Sequence, residues 1–95
     1  MADITKNAHA TRWEASEAGE VVGHLAYHEH GGVVSLTHTE VPPEHGGRGI
    51  AGQLVEKALD AIRDAGQQVR PVCPYVAKWI DRHPAYADLV HTEWS

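Results

Sequence analysis

Val41-Pro42-Pro43-Glu44-His45-Gly46-Gly47-Arg48-Gly49-Ile50-Ala51 divides the chain into two halves of different periodicity. Upstream, apolar residues alternate as they do in strands; downstream, they recur at helical spacing. Pro42 and Pro43 remove two backbone donors in succession, so strand pairing stops there. The glycines that follow let the backbone turn sharply and approach a ligand without Cβ interference. A helix opening at Ile50 presents N–H groups with no internal partner at the positive end of its dipole. Together these features suit a phosphate or pyrophosphate, and Arg48 adds a cation beside it.

Working outward toward the N-terminus, Val33–Val41 reads as a third strand, with Val34 and Leu36 facing opposite ways from Val33 and Ser35. Gly31-Gly32 tolerates positive φ and closes a hairpin. Before it, Val21, Gly23, Leu25 and Tyr27 share one face of a second strand, and Val22, His24, Ala26 and His28 the other. Glu17-Ala18-Gly19-Glu20 supplies a turn, and a first strand is expected within Ala8–Ala15 with Trp13 inward.

Toward the C-terminus, Ile50, Ala51, Leu54, Val55, Ala58, Leu59 and Ile62 form a broad apolar stripe over a helix from Ile50 to Asp64, ended by Gly66. A fourth strand, Gln68–Cys73, and a second helix, Tyr75–Arg82, follow. Val76, Trp79, Ile80 and His83 share a face of that helix. Pro84 breaks it, and Ala85–Val90 is read as one more turn. Trp13 and Trp79 read as core. The order is β-β-β-α-β-α, with a crossover from the third strand through the long helix to the fourth. The expected class is α+β (sandwich-like) with a mostly antiparallel sheet.

Composition narrows the function classes. The chain has 95 residues, 42% hydrophobic and 22% charged, the balance of a globular domain rather than of a disordered or collagen-like chain. A single domain over 1–95 is expected, with 91–95, including Trp94, as a loose tail. The lone Cys73 cannot form an internal disulfide and fits a reducing compartment. Eight Lys+Arg against thirteen Asp+Glu give a net charge of -5, which disfavours a general nucleic-acid binder. No apolar run approaches the ~18–20 residues of a membrane span, and Met1–Lys6 does not read as a signal peptide. A cytoplasmic protein with neither membrane nor nucleic acid as partner is expected.

For the glycine loop, a plain helix-capping turn is one reading. A Walker A loop is excluded, because no Gly-Lys-Ser/Thr follows. A dinucleotide fingerprint fits only loosely through Gly47-Arg48-Gly49-Ile50-Ala51-Gly52, after strands that look antiparallel.

The segment resembles the acyl-CoA-binding motif of the GNAT superfamily of N-acetyltransferases, in which a strand ending Val-x-Pro-x-x precedes Arg/Gln-x-x-Gly-x-Gly/Ala. Gly49 and Ala51 match the last two positions, and Gly46 stands where Arg or Gln is usual. A short, minimal GNAT-like subgroup is similar from about Ala8 to Val90, through Thr37–Pro43, Pro71–Val76 and Arg82–Val90. The resemblance implies a minimal GNAT fold with the cofactor at a splay between the third and fourth strands. It implies acetyl-CoA or CoA as acyl donor, pyrophosphate on Gly46, Gly47, Arg48, Gly49, Ile50 and Ala51, and pantetheine against the backbone of Glu40 and Val41. A third-strand amide would hold the thioester carbonyl. Asp81 stands where the family's thiolate-protonating tyrosine is usual. The N-terminal helices and C-terminal strands that build the family's acceptor pocket are not seen, so the amine acceptor and the oligomeric state are unreadable.

Cys73 lies at the end of the fourth strand, where the CoA thiol should emerge. Two roles are open: a nucleophile that takes the acyl group, or a small buried hydrophobe. As a nucleophile, its replacement by Ala is expected to keep binding and lose transfer. His38 and Glu40 share a strand face and are candidates to take the proton of an amine, beside the reading as a solvated polar pair. His24, His28 and His30 read as a solvated face, and no metal set is expected. Two function classes result: an acetyl-CoA N-acetyltransferase, and a non-catalytic acyl-CoA binding or sensing module.

Overall fold

The computed structural model describes residues 2–91. It contains five strands, β1 (Asp3–Asn7), β2 (Arg12–Glu17), β3 (Glu20–His30), β4 (Val33–Glu40) and β5 (Gln68–Pro71), and two helices, α1 (Ile50–Asp64) and α2 (Pro74–Arg82). Short 3-10 turns cover Pro43–His45 and Pro84–Leu89. The strands form one sheet in the order β1-β2-β3-β4-β5. All neighbours are antiparallel except β4 and β5, which α1 joins as a parallel pair. This is the α+β arrangement the periodicity predicts, with one strand more. The third and fourth expected strands are β4 and β5.

Three details correct the sequence-based picture. The extra strand β1 pairs along β2, and the first expected strand begins only at Arg12, because Ala8–Thr11 is the connecting turn. Asn7 holds that turn by accepting the Ala10 N–H on its Oδ1 at 3.1 Å. In β3 the even alternation fails at its start. Ala15 faces Gly23 and Ser16 faces Val21, so Val22 is the extra residue of a bulge. Val22 therefore turns inward and is 1% exposed, whereas Val21 is 45% exposed. At the other end, β5 stops at Pro71, two residues before the expected Cys73.

One face of the sheet is covered. The α1 stripe of Ile50, Leu54, Val55, Ala58, Leu59 and Ile62 is buried against Trp13, Leu25, Tyr27, Leu36 and Val69, and Val76 and Ile80 of α2 extend the same cluster. Trp79 is only partly buried, stacked on His83 at 3.7 Å between ring centroids. The opposite face presents Arg12, Glu14, His24, His28, His38 and Glu40 to solvent. Neither helix is long and apolar enough to cross a membrane. Residues 92–95, most of the expected tail with Trp94, lie outside the described residues.

Candidate functional site

The site begins where β4 and β5 part. Their parallel pairing runs from Val33↔Gln68 to Leu36↔Pro71 and ends. One further bond, from the Cys73 N–H to the Leu36 carbonyl at 2.9 Å, closes the corner. Beyond it, the β5-facing edge of Thr37–Glu40 has no strand neighbour among the described residues. A second bulge sits at the same level: Tyr27 faces Leu36 and Ala26 faces His38, so Thr37 is the extra residue. The splay expected between these two strands therefore has two local causes, the proline ending β5 and the bulge re-aiming β4.

The free edge runs into the glycine loop. Gly49 is the N-cap of α1 with φ of 75°, a left-handed conformation that glycine adopts at little cost. No side chain caps the helix. The Gly46 N–H is committed to the Pro43 carbonyl at 3.1 Å. The amides of Gly47, Arg48 and Gly49 make no hydrogen bond among the described residues, and those of Ile50 and Ala51 have no acceptor within the helix. The open amide run is thus Gly47–Ala51, one residue shorter than the motif suggests. It borders a groove of about 310 Å³ lined by Val41, His45, Gly46, Gly47, Gly49, Ile50, Ala51 and Tyr75.

Arg48 does not line this groove. Its guanidinium is bound by the Glu17 carboxylate and lies 3.1 Å from His45 Nδ1. That hydrogen bond holds the Glu17 carboxyl below its ordinary pKa. The Arg48 charge is thus committed to Glu17, while the loop amides remain open.

Cys73 is the N-cap of α2, with Pro74 at the first helical position, and is 7% exposed. Its Sγ lies 3.5 Å from Thr39 Oγ1. Burial alone would push the thiol up. The Thr39 hydroxyl and the amides of Val76, Tyr75 and Thr39 outweigh it, so the thiol sits below its ordinary pKa. Thr39 pairs with Leu25 on the covered face, whereas His38 and Glu40 stand on the open one. The structure thus puts Cys73 and the two candidate bases on opposite sides of β4.

On the open face, His38 Nε2 and Glu40 Oε1 are 3.3 Å apart. His24, directly opposite Glu40 on β3, joins them, and one potential ligand atom from each lies within 4.8 Å of the other two. Burial, then the nearby Arg12 charge, keep the His24 imidazole below its ordinary pKa. His28 and His30 are exposed and stand apart from that group. Asp81 is exposed on α2, while the Tyr86 hydroxyl donates to Asp60 at 2.8 Å. Three residues escape a strand-by-strand reading. Thr39 touches Cys73 only through the fold, Tyr75 reaches the groove from α2, and His24 meets β4 only through the sheet register.

A family model described as GCN5-related N-acetyl-transferase matches residues 12–89. Protein NATD1 of Gallus gallus is 36% identical over 61 residues, 64% of this chain and 56% of its own length. Protein NATD1 of Homo sapiens is 38% identical over 52 residues, 55% of this chain and 46% of its own. The chain spans about half the length of the curated relatives it matches. The solution structure of a GCN5-like protein from Staphylococcus aureus superposes with a TM-score of 0.73 over 97% of this chain and 90% of its own. At 15% identity that likeness is one of fold. A GNAT family acetyltransferase from Brucella melitensis, in complex with acetyl-CoA, gives a TM-score of 0.59 at 28% identity, over 76% of this chain and 54% of its own.

Proposed function

The chain belongs to the GCN5-related N-acetyltransferase family, and from that premise we propose that it binds acetyl-CoA and transfers the acetyl group to an amine. One observation carries this reading: the unpaired edge of β4 leads directly into the open amides of Gly47–Ala51. Those amides receive the pyrophosphate at the start of α1. The backbone near Glu40 and Val41 pairs with pantetheine as an added strand would. The acetyl-CoA complex of the Brucella melitensis relative supports the choice of ligand.

In the transfer, the amine attacks the thioester carbonyl carbon, and a β4 amide holds the oxygen as negative charge develops there. Losing one such donor raises a barrier by about 3–4 kcal/mol. His38 or Glu40, on the face that solvent and an acceptor can reach, takes the amine proton. The C–S bond breaks and CoA leaves as thiolate. With a thiol pKa of about 8.5, that thiolate leaves near neutral pH without a strong acid at position 81.

A second reading is favoured by the lowered Cys73 pKa at the α2 N-terminus. Here the Cys73 thiolate attacks the thioester, CoA departs, and the amine then takes the acetyl group from sulfur. Incubation with acetyl-CoA and a panel of amines, following CoA release and intact mass, separates the two. Direct attack predicts that Cys73→Ala keeps its rate while His38→Ala with Glu40→Gln loses roughly a hundredfold or more. An acetyl adduct on Cys73, with the rate abolished in Cys73→Ala, establishes the second route. Binding without CoA release for any amine would leave a binding or sensing module.

A further inference from the structure

We propose that His24, His38 and Glu40 form a three-ligand site for a divalent first-row transition metal, with Zn²⁺ as the best-suited ion, on the open face of the sheet. The ligands come from two strands, which is why no set is visible along either alone. Glu40 and His24 are direct cross-strand partners, and His38 lies two residues before Glu40 on the same face. As direct partners, His24 and Glu40 start from Cβ atoms about 4.5–5.5 Å apart on a hydrogen-bonded scaffold, and His38 stands about 7 Å from Glu40 along the strand.

His38 Nε2 and Glu40 Oε1 stand 3.3 Å apart, a separation that serves a hydrogen bond and that two ligands of one ion can also share. Two donors at Zn–N and Zn–O distances of about 2.0–2.1 Å are separated by about 3.3 Å in a tetrahedron. The third ligand atom, from His24, lies within 4.8 Å of the other two, and side-chain rotation would have to bring it closer to complete the triangle. Two imidazoles and one carboxylate suit Zn²⁺, Ni²⁺ or Cu²⁺ rather than Mg²⁺ or Ca²⁺. The solvent side supplies the fourth position as water.

The surroundings are compatible. Glu14 stands directly opposite His24 on β2, where a carboxylate can orient a ligating imidazole. Arg12 is the adverse charge on this face, and Glu14 engages it at 2.7 Å. His38 and Glu40 are about three-fifths exposed, so the expected affinity is micromolar rather than that of a buried structural zinc. An occupied site withholds His38 and Glu40 from an amine proton, a consequence that rests on the transfer reading. The binding itself does not.

The test is a titration of the whole chain with ZnCl₂ by calorimetry, paired with CoCl₂ titration followed by visible absorption of the bound ion. One saturable site is expected. His24→Ala and, separately, His38→Ala are each expected to weaken it by about tenfold or more. The double variant His28→Ala/His30→Ala, on exposed histidines outside the triangle, is expected to keep wild-type affinity. Circular dichroism checks that each variant is folded. Absence of saturable binding at millimolar metal overturns the proposal. So does wild-type affinity in both single variants, or an equal loss in the His28/His30 double variant. None of these readouts depends on acyl transfer.

Discussion

The side chain with the most telling chemistry is Cys73, because two opposed effects act on one thiol. Burial disfavours its charged form, while Thr39 and the first amides of α2 favour it more strongly. Relative to a free cysteine, the folded state therefore favours the thiolate. That preference stabilises the fold at alkaline pH and fades as pH falls through the lowered pKa. The alkylation rate of Cys73 with iodoacetamide should rise with pH at a midpoint below that of a free cysteine. Thr39→Val should move the midpoint up, and an unmoved midpoint would remove Thr39 from the account. Gly49 makes a separate point. An alanine Cβ there meets nothing within 4 Å, so only the left-handed backbone at φ 75° resists it. Gly49→Ala should cost about 1–2 kcal/mol in chemical denaturation. It should also weaken CoA binding several-fold, by pulling the α1 amides out of line.

Among the elements, α1 was fully legible, from Ile50 to Asp64, because an amphipathic stripe ended by Gly66 depends on local sequence alone. The end of β4 just before Pro42-Pro43 was legible for the same reason, to within one residue of the expected Val41. β1 was not, since Asp3–Asn7 offers only Ile4 as an apolar residue and is a strand because β2 pairs with it. The bulges at Val22 and Thr37 were also hidden, because they are set by register between strands and not by either strand's composition. The same blindness to register left His24 grouped with His28 and His30 instead of with Glu40. The β3 bulge makes a sharp prediction. Val22→Ala should cost about 2 kcal/mol, as a buried valine does, while its neighbour Val21→Ala stays within about 0.5 kcal/mol. A larger loss for Val21→Ala than for Val22→Ala in urea denaturation would mean that the simple alternation holds and the bulge does not.

At the scale of the molecule, the sheet divides the chemistry. Its covered face holds the core, Thr39 and Cys73; its open face holds His38, Glu40 and His24. A net charge of -5 would repel an anionic cofactor at long range, so recognition must be local, through oriented amides at a helix start. The loop could be read from Pro42, Pro43 and Gly49, and the splay followed from the family resemblance. The neutralisation of Arg48 by Glu17, from a strand thirty-one residues away, could not. The central claim is that the β4 edge and the Gly47–Ala51 amides form an acyl-CoA site. Calorimetric titration of the chain with CoA and acetyl-CoA, beside Gly49→Ala, tests it most directly. The account predicts one saturable site for both ligands, weakened in the variant. No heat of binding at millimolar ligand, or binding that Gly49→Ala leaves untouched, would contradict it.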